Sequence, residues 1–587
     1  MATETLPPTP VPIVLQSWTP AMQSLDFQLG LLAYQVRGAQ AFAGHEVPNL
    51  INQAGLGPLR LAQVLFEHCR WLQGQDALPA QIEVLELGMG PGLHALQVLD
   101  RFTLLSQQNG VDWADRLTFY ATDGSLAMLR DARDRGVFSR HGNRVVLGQA
   151  DVAQPGTVTR LDDGQTLDLT GRLLAIFHTY TLSILPAHVL QFQPPAADSL
   201  QPGQWAVVAA QTVLQHPEDL SIFTQMSVQQ IQAAVASQDP RQLQALVPLY
   251  PLIDLQLGMA PVDLAELDLP EQAEALAQRL LEARGPDQAL EPTWVFHSYG
   301  AMRALQAMLQ TIREQGFVFY RDYGPATPQA AGQYQMYQHY GPSIGTGINQ
   351  LQIDAFVAGL QPDGRPVRAL QPAEEGEAPI KTRLILRQPA PATEAAFGQL
   401  FAPVAFAALD QSVGAARQAY WQQEADAVER FRAALQLEPE HWALLAESGD
   451  AALRWVGPAG ERAWDLAGVL LQESLRINPW YNSDAWNSLG DLQWTRGDFD
   501  GAEAAYARAV ANNPEQARGY LNLASARLER GDPVRALELA ANALARDGSG
   551  AGLQQAQDLH AQALAQLTQR RERTAFLRSR RQAGSPH

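Results

Sequence analysis

Seven residues early in the chain, Glu86-Leu87-Gly88-Met89-Gly90-Pro91-Gly92, close an apolar run and open a helical pattern. Glycines at alternate positions let a main chain approach a ligand closely and adopt turns that side chains forbid. Such a turn can serve a nucleotide phosphate, a dinucleotide or an adenosyl sulfonium. A phosphate loop needs Gly-x4-Gly-Lys-Ser/Thr, whose lysine reaches the terminal phosphates; the only lysine of this chain is Lys381, far away in sequence. A dinucleotide turn needs G-x-G-x-x-G. Gly88 and Gly90 fill its first two places, but Leu93 stands at the third and the extra glycine falls at 92. What remains is acid-x-G-x-G-x-G, in which Glu86 offers a carboxylate to a positively charged amino acid moiety.

The next two apolar runs also end on acids. "RLTFYATD" ends on Asp123 and is followed by Gly124 and Ser125; "RVVLGQAD" ends on Asp151, between Ala150 and Val152. Taken alone, Asp123 suits a helix N-cap, Asp151 a turn and Glu86 a strand-end acid. With the glycine turn, the three acids in this order resemble the Rossmann-like S-adenosylmethionine-dependent methyltransferases. The resemblance implies S-adenosyl-L-methionine as cofactor. Its methionine end would lie against Glu86, Gly88, Met89, Gly90 and Gly92, its ribose against Asp123, Gly124 and Ser125, and its adenine against Ala150, Asp151 and Val152.

Further on, "GRLLAIFHTYTLSILPAHVL" is similar to the fourth-strand segment of the MidA-like methyltransferases. The family's turn survives as Leu182 to Leu190, but Phe177, His178 and Thr179 stand where it carries an Asn-Glu pair. "FVFYRDYGPATPQ" resembles its "iDYG" strand end, giving Asp322, Tyr323 and Gly324, and "QMYQHYGPSIGTGINQLQIDAF" its later aromatic and glycine loop. This resemblance covers roughly residues 20 to 390 and implies a protein-arginine acceptor.

Methyl transfer needs alignment of nucleophile, carbon and sulfur, and exclusion of water. A nitrogen or oxygen nucleophile also loses a proton. The candidate bases are Asp322, His178 and His339, with Tyr180, Tyr323 and Tyr340 as positioning groups. His178 also suits a hydrogen-bonded core histidine, and Asp322 a turn cap before Gly324. A guanidinium acceptor calls for a carboxylate fork, of which Asp322 is one half. No metal site is expected: Cys69 is the single cysteine, and its helical apolar surroundings read as core.

The elements that must position these residues follow from periodicity. Short apolar runs at 82–87, 116–123, 144–151, 172–180 and 204–214 alternate with helical segments, which predicts a parallel sheet wound through right-handed crossovers. Residues 1–75 read as an N-terminal helical cap, 76–215 as the cofactor-binding half, 216–297 as a helical insert, and 298–408 as the remainder, with strands at 316–324 and 381–388 and an acidic loop near 370–380. The expected fold is therefore an α/β Rossmann-like domain with N-terminal helices and a helical insert.

An all-α solenoid follows at 409–570. "AWNSLGDLQWTRGDFDGAEAAYARAVANNP" places Trp486, Leu489, Gly490, Ala502, Tyr506, Ala509 and Pro514 as tetratricopeptide repeats do, and Tyr520 repeats the scheme 34 residues after Trp486. About three and a half repeats are expected, then a basic, disordered tail at 571–587. Such arrays offer a groove to a protein or peptide partner, although self-packing is nearly as common.

Composition bounds the rest. A formal net charge of −19 argues against a broad nucleic-acid surface. No apolar run reaches the ~18 residues that span a bilayer, and "MATETLPPTPVPIV" does not read as a signal peptide, so a cytoplasmic location is expected. The sequence leaves three functions open: a methyltransferase acting on a protein docked through the repeats, a small-molecule methyltransferase, and a non-catalytic adaptor working through its repeats.

Overall fold

The computed structural model describes residues 12–43, 56–195, 203–284, 291–340, 343–362, 364–373, 379–424, 426–454, 461–546 and 550–583. Most of the "MATETLPPTPVPIV" stretch, part of the acidic loop near 370–380 and the last four residues of the basic tail lie outside them. Two compact units divide the chain near residue 403, and Phe42, Ala43, Leu56 and Gly57 group with the second. That boundary lies a few residues before the expected one at 408. Among the described residues, no helix is long and apolar enough to cross a membrane.

Sixteen strands are described, all in the first unit. In chain order they are β1 (Ile13–Pro20), β2 (Ile82–Leu87), β3 (Leu117–Asp123), β4 (Val145–Ala150), β5 (Thr157–Arg160), β6 (Thr166–Asp168), β7 (Leu173–Thr179), β8 (His188–Gln193), β9 (Gln204–Leu214), β10 (Ile253–Pro261), β11 (Thr293–His297), β12 (Ile312–Tyr323), β13 (Gln338–Tyr340), β14 (Ser343–Gly345), β15 (Arg368–Leu370) and β16 (Ile380–Leu386). The main sheet has the order β15-β16-β12-β7-β2-β3-β4-β5-β6. Its central five strands, β12 to β4, are parallel, and the hairpins at both edges are antiparallel. β2 and β7 are buried nearly end to end, as parallel strands covered on both faces must be. Leu85, Leu87 and Ile176 pack on the helix Tyr299–Thr311 through Met302, Leu305 and Met308. The alternate residues Phe119, Phe177 and Phe317 form an aromatic layer, with ring centroids 5.9 to 6.4 Å apart. The chain winds outward from β2 through β3 and β4, then returns to the other side of β2 as β7. Ligands bind at such a switch point, outside the carboxyl ends of the strands.

The cap and the insert contain more than helices. β1 precedes the first long helix, Leu25–Arg37, and β10 and β11 lie within 216–297, among helices such as Val228–Ser237 and Pro270–Glu282. With β8 and β9 they build a second, antiparallel sheet. β9 is long enough to pair with β8 and then β1 along one edge, while β10 runs along the other. β9 therefore belongs to this sheet and not to the main sheet, where the sequence had placed it.

The second unit stacks antiparallel helix pairs: Pro403–Trp421 with Ala427–Leu437, Trp442–Arg454 with Glu461–Ile477, Ser483–Thr495 with Phe499–Asn512, and Ala517–Glu529 with Pro533–Leu544. A long helix, Gly550–Ala583, follows. Four pairs thus stand where three and a half repeats were expected, and the basic tail is helical as far as residue 583. Gly490 shows why the repeat motif takes a glycine: a Cβ there would lie 2.4 Å from the Tyr506 ring, which fits against the bare backbone of the preceding helix.

Candidate functional site

The glycine turn leaves β2 and enters the helix Leu93–Gln108. Gly88, Gly90 and Gly92 have φ of +69°, +54° and +80°, the left-handed region that strains any residue with a Cβ. Two of them are also closely approached: a Cβ on Gly88 would lie 2.3 Å from Thr181 Cγ2, and one on Gly92 2.8 Å from Phe138 Cζ. The turn after β7 therefore rests directly on the glycine turn. Met89 N–H donates to Thr122 O at 2.8 Å, which ties the loop to the tip of β3.

The three strand-end acids differ in their surroundings. Glu86 is 1% exposed, accepts a 2.7 Å hydrogen bond from His94 Nδ1 on its Oε1, and buries its Oε2 without a partner. Asp123 is also buried. Its Oδ1 accepts from Ser125 N–H at 2.8 Å and its Oδ2 from Gly90 N–H at 3.1 Å, with the Tyr34 hydroxyl at 3.3 Å. Burial lifts its carboxyl to about 6, against the pull of these donors. Asp151 is exposed at the tip of β4, where its Oδ1 accepts from Ala153 N–H at 2.9 Å. Ala150 beside it is buried and Val152 half-buried. Gly124 is exposed and accepts from the Gln149 side chain, while Ser125 caps the helix Leu126–Asp134 and donates to Gln35 O at 2.8 Å. The fold thus brings Glu86, the glycine turn, Asp123 and Ser125 together on adjacent strand tips, with Asp151 on the next strand.

The three candidate bases are not gathered in one place. Asp322 is fully buried at the end of β12, where its Oδ2 accepts from Leu182 and Ser183 N–H at 2.9 and 3.1 Å and its Oδ1 from Tyr323 N–H at 2.8 Å. It pins β12 to the turn after β7, and burial raises its carboxyl to about 6. His178 stacks on Tyr320 at 5.2 Å, shares a 2.9 Å hydrogen bond with Thr181 Oγ1, and buries Nε2 without a partner. Burial holds it near 3, so it is neutral at physiological pH. His339, on β13, is half-exposed and faces Asp26 at 3.4 Å and the Tyr250 hydroxyl, on the side of the N-terminal helix.

Tyr180, Tyr323 and Tyr340 instead share a cavity of about 250 Å³ between the ends of β7 and β12 and the hairpin β13-β14. Tyr180 adopts a φ of +56° and stacks on Tyr323, with centroids 4.5 Å apart and planes 6° apart. Among the described residues, every lining side chain is uncharged: tyrosine, glutamine, serine, threonine, methionine or isoleucine, beside glycine backbone.

Two participants escaped the sequence reading. His94 stands in the first turn of the helix after the glycines, eight residues from Glu86, and that placement was a usable signal. Tyr34 reaches Asp123 from a helix 89 residues earlier, and nothing in the sequence links the two.

No curated protein matches this sequence. The tetratricopeptide-repeat family model matches residues 487–551. Among solved structures, a COG1565 superfamily protein from Burkholderia thailandensis, bound to S-adenosyl-homocysteine, is 15% identical over 64% of this chain and 90% of its own, with a TM-score of 0.39. A thermophilic TPR protein from Thermus thermophilus is 21% identical over 30% of this chain and 90% of its own, with a TM-score of 0.24. Pseudomonas aeruginosa pilF is 18% identical over 31% and 95%, with a TM-score of 0.23. The chain thus joins an α/β domain, wound about a glycine turn at its switch point, to a C-terminal array of tetratricopeptide repeats.

Proposed function

We propose that the first unit binds S-adenosyl-L-methionine and transfers its methyl group to an acceptor seated beside the turn after β7. The observation that carries the reading is the buried, unpartnered Glu86 Oε2 beside a glycine turn too tight for side chains. A buried polar atom left without a partner costs roughly 1–3 kcal/mol, and such atoms in a native fold call for an explanation such as a ligand. Glu86 and the turn would hold the charged methionine end, Asp123 the ribose hydroxyls, and Asp151 with Ala150 and Val152 the adenine. Bound there, the cofactor supplies an activated methyl group with its own leaving group. The chain's residues orient the acceptor, exclude water and fix the strand ends.

The geometry of Asp322 bears on the acceptor. The MidA-like resemblance implies arginine, which needs a free carboxylate fork, whereas both Asp322 oxygens already accept backbone hydrogen bonds. A protein acceptor or partner docked on the repeats fits a groove of about 450 Å³ in the second unit, where Tyr420, Trp421, Trp442, Arg417, Asp450 and Arg518 meet. Titration calorimetry with S-adenosylmethionine tests the central reading. Micromolar binding with one site per chain is expected, and no heat at millimolar ligand would end it in favour of an adaptor role.

A further inference from the structure

Asp123, the acid set against the ribose, already has most of its lone pairs in use. An ionised carboxylate offers about four acceptor places, two on each oxygen. Ser125 N–H takes one on Oδ1, and on Oδ2 Gly90 N–H at 3.1 Å and the Tyr34 hydroxyl at 3.3 Å take both. A ribose brings two vicinal hydroxyls to the single place that is left. One of the present donors has to yield for both to be held.

The two amides are poorly placed to do so. Gly90 N–H belongs to the glycine turn, and Ser125 is the N-cap of the helix Leu126–Asp134, so neither withdraws without undoing the backbone around it. Tyr34 is a side chain. It is half-buried on the last turn of the helix Leu25–Arg37, with Gln35 and Val36 exposed beside it. The helix itself is pinned along its length. The Tyr337 hydroxyl donates to Asp26 at 2.8 Å, a Cβ on Gly30 would lie 2.6 Å from Ile344, and Ser125 Oγ donates to Gln35 O at 2.8 Å. A rearrangement at Asp123 is therefore a rotation of one side chain, with the helix staying in place. Burial and the adjacent carboxylate hold the Tyr34 phenol protonated, so toward Asp123 it is a donor of the same kind as a ribose hydroxyl. It supplies a buried charge with a partner that the charge needs.

Building on the cofactor reading above, we propose that Tyr34 is a residue of the cofactor site whose hydroxyl holds the place of one ribose hydroxyl on Asp123 Oδ2, and that the cofactor enters by exchanging the two. The exchange trades one O–H···O hydrogen bond for another, so the carboxylate keeps its donors throughout. It also favours the intact diol, because a sugar without the exchanging hydroxyl leaves Tyr34 where it is.

The test is calorimetry on the full chain at pH 8, where the Asp123 carboxyl, raised to about 6, is charged. S-adenosylhomocysteine is the probe, with methylthioadenosine and its two monodeoxyribose forms as ribose counterparts. Tyr34→Phe keeps the ring and removes the competing donor. It is expected to tighten S-adenosylhomocysteine and methylthioadenosine about threefold to tenfold, the worth of the hydrogen bond that no longer has to be displaced. For the monodeoxy form that lacks the exchanging hydroxyl, the substitution is expected to change nothing. Weaker or unchanged binding of S-adenosylhomocysteine by the variant overturns the exchange, and so does equal tightening of both monodeoxy forms. The two readings fail separately. Failure of the unsubstituted chain to bind S-adenosylhomocysteine overturns the cofactor reading beneath the proposal. Binding that Asp123→Asn weakens and Tyr34→Phe does not strengthen overturns the exchange alone.

Discussion

Asp123 sits between its neutral and charged forms, and that balance is measurable. Burial raises its carboxyl to about 6, while Ser125, Gly90 and Tyr34 donate to the charged form. Its folded pKa lies above the ordinary value of 3.8, so the fold is favoured by the neutral acid at low pH and loses that contribution as pH rises through about 6. Asp322 contributes with the same sign in the same range. Ribose hydroxyls, in contrast, need the charged carboxylate. S-adenosylmethionine affinity is therefore expected to fall about tenfold from pH 7.5 to pH 5, one logarithmic unit below the shifted value. Asp123→Asn is expected to bind weakly and without that slope. An unchanged slope in the variant, read by calorimetry at both pH values, would assign the titration to another group.

At the scale of elements, the glycine turn and the turn after β7 touch directly. Gly88→Ala places a methyl group 2.3 Å from Thr181 Cγ2 and forces a Cβ into φ +69°. A loss of about 2–4 kcal/mol in denaturant unfolding is expected, from overpacking plus left-handed strain. Thr181→Ser removes the offending methyl and keeps the hydroxyl that His178 uses. The double variant is expected to recover about half of the loss and retain the strain. Recovery of nothing would mean that the methyl clash is not the cause. β10 belongs to this scale too: Ile253, Leu255, Leu257 and Met259 alternate with Asp254, Gln256, Gly258 and Ala260. That period of two reads as a strand, although only Ile253 and Leu255 of the apolar set are half-buried while Leu257 and Met259 are exposed, and the helix-rich composition around it concealed the signal.

At the scale of the whole molecule, the repeat array carries its own electrostatic frame. Arg518 lies 3.6 Å from Asp450 and 3.1 Å from Asp491, and the Tyr420 and Ser488 hydroxyls donate to the Asp450 carboxylate at 2.6 and 2.7 Å. Burial works against ionising Asp450, but these donors together with Arg518 and Arg454 hold its pKa below the usual range. Arg518→Ala leaves the acids without their shared cation. The Arg518 side chain is 30% exposed, so solvent screening limits the expected cost to about 1–2 kcal/mol. Calorimetry should show two unfolding transitions, one for each compact unit, with only the repeat transition lowered in this variant. A shift of both would reveal energetic coupling between the units.

The sequence by itself determined what depends on near neighbours. The parallel strands, the glycine turn, the acids at the strand tips and the repeat period are all written in local spacing, because hydrophobic periodicity and backbone freedom act over a few residues. Gly490 against Tyr506 belongs to the same class, since the two lie on adjacent helices of one repeat. Only the tertiary structure decided how the polar groups are used. Asp322, His178 and His339 are all plausible bases in sequence. One is held by three backbone amides, one is stacked in the core, and one faces the N-terminal helix. The second sheet, the reach of Tyr34 to Asp123 and the uncharged cavity were likewise decided there. Each rests on partners tens to hundreds of residues apart, and a side chain's protonation and availability depend on the groups that surround it in space.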